Sequence, residues 1–283
     1  MQKNNFLPKV SNYLKKNHHM ASKVDHKILS ELGFLVLKNA FKKETIEKYS
    51  SNYNLYLRNK KISKTKTHPV EVRVDQLNFF KNFLKESQLK KVVKNFYKGN
   101  VGSDYFRIVK KDKINSAPVF CHQDVGYQIG TFDRYSLFIC LTNNNSLNGG
   151  MVLYPSTHKF GYLADTGEIS KKITKNFIKI CPDLEIGDVL IMHSSLWHES
   201  GKNFNMKDRV YLEIHIQDAN EPSTKFVIIG KNKNKNKFPF DTGSTGRSIN
   251  SNIFSNSRVQ RVIYWKNKAK KLQKIINIQN LRK

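Results

Sequence analysis

Along the first third of the chain apolar residues recur every three or four positions, and through the middle they come in short runs between turn signals. The two textures predict helices followed by strands. Residues 1–24 are polar and basic and read as a loosely held, flexible arm. His26–Gly33 has the pattern of a short helix stopped by glycine. Phe34-Leu35-Val36-Leu37 then reads as a buried strand. Ile46, Tyr49 and Tyr53 place a helix over Phe41–Tyr53. Residues 59–68 read as a basic loop without apolar period. Leu77, Phe80, Phe83, Leu84, Leu89, Val92, Val93 and Phe96 predict two helices within Val74–Tyr97, broken near Ser87.

Beyond Gly102, strands are expected at Tyr105–Val109, Val119–Asp124, Tyr135–Leu141, Met151–Tyr154, Phe177–Ile180, Val189–His193 and Val210–Ile216. Asn143-Asn144-Asn145, Asn148-Gly149-Gly150 and Ile186-Gly187-Asp188 punctuate them. Short strands at this spacing imply a mainly β, jelly-roll type of core with flanking helices. One domain is expected over residues 25–220, helical over 25–100 and jelly-roll over 101–220. Residues 221–283 read as a polar, basic extension ending in an amphipathic helix over Val259–Lys283, where Leu272, Ile275, Ile276 and Ile278 stand among lysines. Such a helix can dock on a membrane, on nucleic acid or on its own domain, and self-docking is the expectation.

Composition narrows the class. With 283 residues, 39% of them hydrophobic, 18 Phe and 12 Tyr, the chain can bury a sizeable core. No apolar run approaches the roughly 18 residues a membrane span needs. Met1–Met20 has no apolar stretch ending in a small-residue cleavage site, so no secretory leader is expected. Cys121, Cys140 and Cys181 are odd in number and widely spaced, which reads as buried thiols in a reducing, cytoplasmic setting. The net charge of +28 has two readings, a footprint for an anionic partner or a lysine-rich polar composition throughout. Runs such as Lys231-Asn232-Lys233-Asn234-Lys235, without arginine clusters, favour the second. Nucleic acid is therefore not the expected partner, and oligomeric state is not legible.

Chemistry concentrates at His122-Gln123-Asp124. On a strand, Phe120, His122 and Asp124 share one face. An imidazole beside a carboxylate supplies two of the three ligands of a non-haem Fe(II) centre. His158, His193, His198 and His215 lie in the strand region as candidates for the third. His198, where a strand leaves the core, is favoured, and His193 reads better as a core histidine. His18-His19 reads as surface. In Arg209–Ile216 the residues Arg209, Tyr211, Glu213 and His215 line one face, with Val210, Leu212, Ile214 and Ile216 opposite. An arginine opening that polar face is placed to clamp a carboxylate through two parallel hydrogen bonds, the alternative being a surface ion pair with Asp208 or Glu213.

From Asp25 to Asp218 the chain resembles the phytanoyl-CoA dioxygenase-like family of Fe(II)/2-oxoglutarate-dependent oxygenases. The resemblance rests on Glu31–Leu37, on His122-Gln123-Asp124 and on Leu147–His158, where Ser156 replaces the family's glycine in Pro-Gly-Ser-His. It continues through Gly187–Ile191 and His198-x-Ser200-x-x-Asn203 to Arg209. It implies a double-stranded β-helix, with His122, Asp124 and His198 on iron and Arg209 on the distal carboxylate of 2-oxoglutarate. Ser200 and Asn203 match motif positions near the site, and His158 matches a structural histidine. The implied reaction takes Fe(II), 2-oxoglutarate and O2 and releases succinate and CO2. Keeping Asp124, where halogenating relatives have a small residue, favours hydroxylation.

The substrate is expected to be a small molecule. The candidate substrate-facing loops at 110–116, 125–133 and 163–172 carry several lysines between them, in the first and third, which points to an anionic metabolite: an acyl thioester, a phosphate or phosphonate, or a carboxylate. Two other readings are a nucleic-acid-directed oxygenase and a catalytically silent jelly-roll binding protein.

Overall fold

Alternation along the central strands decides the architecture. In the computed structural model, which describes residues 6–16, 19–59, 69–127, 131, 133–163, 168–205 and 207–236, the order is α1 (Phe6–Lys16), β1 (Met20–Ala21), α2 (His26–Leu32), β2 (Phe34–Leu37), α3 (Lys43–Asn59) and β3 (Val70–Arg73). Then follow α4 (Asn78–Lys81), α5 (Ser87–Val93), β4 (Val101–Ser103), β5 (Phe106–Lys111), β6 (Val119–His122) and β7 (Tyr135–Cys140). The last are β8 (Met151–Leu153), α6 (Lys171–Thr174), β9 (Val189–His193), β10 (His198–Ser200), β11 (Arg209–Asp218) and β12 (Phe226–Ile229).

Among the described residues the strands form a nine-stranded sheet, β1-β2-β9-β7-β11-β4-β12 with β5 and β3 branching from β11, and a three-stranded sheet, β6-β10-β8. Leu35, Leu37, Ile108, Leu137, Ile139, Val189, Ile191, Leu212 and Ile214 cover one face of the large sheet and pack under Ile46, Tyr49, Phe80, Phe83 and Leu89 of the helical layer. The alternate residues Phe34, Val36, Phe138, Cys140, Leu190, Met192 and Tyr211 face inward and meet Met151 and Leu153 of the small sheet. Each fully buried side chain of this kind contributes about 1.5–3 kcal/mol. The result is mainly β with flanking helices and two facing sheets of jelly-roll type, with no closed barrel among the described residues.

Local chemistry fixes the joints. Asp25 caps α2 by accepting from the amides of Lys27 and Ile28, and Gly33, at φ 80°, ends it. Asp188, buried at the start of β9, accepts from Lys38 Nζ and from the amides of Asn39 and Glu185. It ties β2, β9 and the intervening turn together.

Several expectations need correction. The amino-terminal stretch is not loose along its described length: Val10 is buried, Tyr13 and Leu14 pack on the inner core, and β1 pairs in parallel with β2. Phe177–Ile180 makes only an isolated bridge, Ile180 to Leu153. β3, β4 and β12 were not expected: β4 is three residues with a glycine, β3 is a four-residue alternation beside a basic stretch, and β12 is a short apolar run in a polar tail. β12 pairs with β4, so the fold runs past Asp218. The terminal helix at 259–283 and most of the basic loop, 60–68, lie outside the described residues. The three cysteines are free, and among the described residues no helix is long and apolar enough to cross a membrane.

Gly187 shows how tightly the β9 turn is built. Its φ is +89°, and a Cβ there would lie 2.3 Å from the Phe41 carbonyl oxygen. Gly187→Ala is expected to cost about 2 kcal/mol or more. The check is a lower urea midpoint at unchanged slope.

Candidate metal centre

Pairing of β6 with β10 puts His122 directly opposite His198, with ring centroids 4.3 Å apart. Past His122 the strand ends because the amides of Asp124 and Val125 both turn to the Ser194 carbonyl. Gln123 faces the other way and is buried. Its amide nitrogen donates to the carbonyls of Gly161 and Ser195 at 2.8 and 2.7 Å, and its oxygen accepts from the Leu163 amide at 3.0 Å. The residue between the two candidate ligands is thus a clamp on two loops, which explains a glutamine there.

The three side chains converge. Asp124 Oδ1 lies 3.5 Å from His122 Nε2 and 3.5 Å from His198 Nε2. His122 Nδ1 is 2.8 Å from the Phe120 carbonyl, and His198 Nδ1 is 3.0 Å from the Leu196 carbonyl. A carbonyl oxygen can only accept, so both Nδ1 atoms carry the hydrogen. Each neutral ring then presents its Nε2 lone pair, as metal-bound histidines do. Asp124 Oδ2 is buried with no hydrogen-bond partner. Burial alone would push the Asp124 carboxyl up, but the charge of His198 and His122 in their protonated forms outweighs it and holds the group well below the usual carboxylate range. Burial pulls His198 down from the usual histidine value, favouring the neutral, ligating form. Among the described residues these three form the group whose donor atoms could hold one ion, all within 4.8 Å of one another.

Arg209 opens β11 on the inner face and is 2% exposed. Neither acid that could neutralise it at the surface does so. Asp208 pairs with Lys110 at 2.7 Å, and Glu213 is held by Arg107 at 2.6 Å and His215 at 2.8 Å. Arg209 Nη1 donates to the Gly149 carbonyl at 3.2 Å, its plane lies 4.8 Å from the Tyr211 ring, and its Nε is buried without a partner. A buried guanidinium without a carboxylate is a site for an anion.

Ser200 lies two residues beyond His198 on the same strand, hence on the same face, and is buried. Its Oγ accepts from Lys111 Nζ at 2.8 Å. Asn203 donates to the Lys207 carbonyl at 2.7 Å, and its amide donates to the Ser116 carbonyl at 3.0 Å; it pins the loop that delivers Arg209. His193 accepts from the Ser195 amide and lies 5.2 Å from the His158 ring, and His158 Nε2 bonds the Ser30 carbonyl. Burial pushes both down to about 4, so they are neutral and belong to the packing under Gly33. His215 belongs to the Glu213–Arg107 network instead of the three converging donors.

Sequence reasoning missed Lys111. It had been part of a lysine-rich loop, yet it closes β5, is 0% exposed and stands directly opposite Arg209 in register. Inward alternation along β5 was the available signal, but register between β5 and β11 is not visible in a sequence.

A family model described as phytanoyl-CoA dioxygenase matches residues 29–211. The chain belongs to the phytanoyl-CoA dioxygenase family. Enzymes of this family are Fe(II)- and 2-oxoglutarate-dependent oxygenases that use O2 and act on small molecules, and this member is an oxygenase of that class, with the histidine–aspartate–histidine group in place. No curated protein matches the chain in sequence. Solved structures are similar to it in fold. One is the epimerase SnoN in complex with Fe3+, alpha ketoglutarate and nogalamycin RO: TM-score 0.61, 15% identity, over 69% of this chain and 82% of that one. Another is AviO1 from Streptomyces viridochromogenes Tue57: TM-score 0.58, 20% identity, over 70% and 96%. A third is EvdO2 from Micromonospora carbonacea var. aurantiaca complexed with 2-oxoglutarate: TM-score 0.55, 13% identity, over 69% and 91%.

Two buried cations of this family member give a pH signature. Burial first, then the Arg209 charge facing it, push the Lys111 ammonium down to about 7. An unfolded lysine titrates near ~10.4. Between those values the unfolded chain binds more protons, so this group's contribution to stability rises with pH across the window and is lost as pH falls through about 7. In ligand-free protein, urea denaturation at pH 7 and pH 9.5 is expected to show that rise in wild type and to lose it in Lys111→Met.

Proposed function

We propose that this enzyme hydroxylates a small anionic metabolite, with His122, Asp124 and His198 as the iron ligands and Arg209 on the distal carboxylate of 2-oxoglutarate. The observation that carries the ligand assignment is the convergence of two Nε2 lone pairs on the Asp124 carboxylate, whose Oδ2 is buried without a partner. Bound Fe(II), with 2-oxoglutarate and O2, supplies the oxidation of an unactivated C–H bond coupled to release of succinate and CO2. The chain's own residues do the orienting. The Phe120 and Leu196 carbonyls fix the tautomer and plane of each imidazole. Arg209, fixed by Gly149 and stacked on Tyr211, offers its buried Nε to a carboxylate. Ser200 lies two residues along β10 from His198 and is bonded by Lys111, the cross-strand neighbour of Arg209, and Asn203 acts at one remove by holding the loop before Arg209. A retained carboxylate at Asp124 supports hydroxylation over halogenation.

Support for an anionic substrate comes from the flanking loops. Lys113, Lys171 and Lys172 are exposed there, whereas Lys110 is engaged by Asp112 and Asp208. Parts of the loops at 125–133 and 163–172 lie outside the described residues.

Anaerobic addition of Fe(II) and 2-oxoglutarate should produce the weak visible charge-transfer band of the chelated keto acid in wild type and none in His122→Ala. A wild type without that band, and without conversion of 2-oxoglutarate to succinate, would sink the reading. For the substrate, succinate release should be stimulated by members of a panel of acyl thioesters, phosphonates and carboxylates. Stimulation confined to neutral compounds or to single-stranded DNA would overturn the anionic-metabolite proposal.

A further inference from the structure

The inner face at the start of β11 holds more charge than one carboxylate clamp requires. Lys111 on β5 and Arg209 on β11 are cross-strand partners, and both point between the sheets. Lys111 is 0% exposed and Arg209 2%, and neither forms an ion pair among the described residues. The nearest acids in sequence are already used: Asp112 accepts from the amides of Ile114 and Asn115 and pairs with Lys110, as does Asp208. Two uncompensated cations side by side in an interior are strongly unfavourable unless an anion joins them.

Donor chemistry gives Lys111 a narrower task. An ammonium has three hydrogens to donate and no lone pair. Lys111 Nζ donates to Ser200 Oγ at 2.8 Å and to the Gly201 carbonyl, with the Ser200 carbonyl further off at 3.4 Å. Because Ser200 Oγ accepts from Lys111, its own hydroxyl hydrogen is left to donate elsewhere. The lysine also links the large sheet to the small one, two residues along β10 from His198.

Gly149 shows that the arrangement is built in. At φ +80°, a Cβ there would meet the Gly201 carbonyl at 2.8 Å and Lys111 Cδ at 3.0 Å, while its own carbonyl holds Arg209. The glycine lets the lysine stem pass and positions the guanidinium from the same residue.

We propose that Lys111 is a positioning residue for 2-oxoglutarate: it turns the Ser200 hydroxyl toward the distal carboxylate and adds a second cation beside Arg209. This rests on the reading that Arg209 binds that carboxylate. Lys111 therefore selects keto acids that carry a distal carboxylate and has no part in holding the keto end.

The test is binding, followed anaerobically on the Fe(II)-loaded enzyme by the visible band and by calorimetry, with 2-oxoglutarate and pyruvate as probes. Pyruvate has the keto-carboxylate end and lacks the distal one. Lys111→Met is expected to weaken 2-oxoglutarate by roughly 30-fold, within the range seen when orienting partners are removed, and to leave pyruvate affinity and band position unchanged. Adding Ser200→Ala to Lys111→Met should then cost little more, because the two act through one hydroxyl. Equal weakening of both probes, or 2-oxoglutarate affinity within twofold of wild type, overturns the proposal. Loss of 2-oxoglutarate selectivity in Arg209→Met with none in Lys111→Met would leave the Arg209 reading standing and remove this one. A wild type that binds neither probe would remove the reading itself.

Discussion

Everything at the site depends on the register of β6 against β10. His122 faces His198, and a slip of β6 by one residue would turn the His122 imidazole to the face opposite His198. So short a pair cannot hold its register by ladder bonds alone. It is held from outside by the Gln123 clamp, by the turn of the Asp124 and Val125 amides to Ser194, by β8 on the far side of β10, and by Lys111 reaching across from the other sheet.

The large sheet divides its two faces between stability and chemistry. The face toward the helices is apolar from end to end, and its burial supplies the favourable free energy. The inner face is apolar where β2, β7 and β9 meet the small sheet, and charged where β5 and β11 pair. There Glu213 is fully engaged by Arg107 and His215, while Arg209 and Lys111 stay uncompensated. Satisfied and unsatisfied charges lie on the same two strands, which separates structural polarity from a binding site.

The sequence carried much of this because alternation is a local signal. Arg209, Tyr211, Glu213 and His215 could be assigned to one face without knowing their partners, and His122 with Asp124 likewise. Lys111 could not be singled out from 49 other basic residues, since Lys+Arg number 50 and only strand pairing distinguishes it. β4 escaped because Val101-Gly102-Ser103 carries little apolar pattern and is stabilised by pairing, whereas β12, Phe226–Ile229, is an apolar run overlooked within a polar tail. The amino-terminal helix was hidden by its lysines, although Val10, Tyr13 and Leu14 recur at helical spacing and find the inner core. Asn203, a motif match near the site, serves the loop through its side-chain amide, which donates to the Lys207 carbonyl.

Both imidazoles are anchored to carbonyls only two residues upstream on their own chain, Phe120 for His122 and Leu196 for His198. Each ligand's aim is therefore a property of a few consecutive residues and needs no distant loop to complete it. A cradle made this way is rigid before anything occupies it. Of the surrounding loops, those clamped by Gln123 at Gly161, Leu163 and Ser195 stay tied to the metal's seat, and the others can diverge toward new substrates without disturbing it.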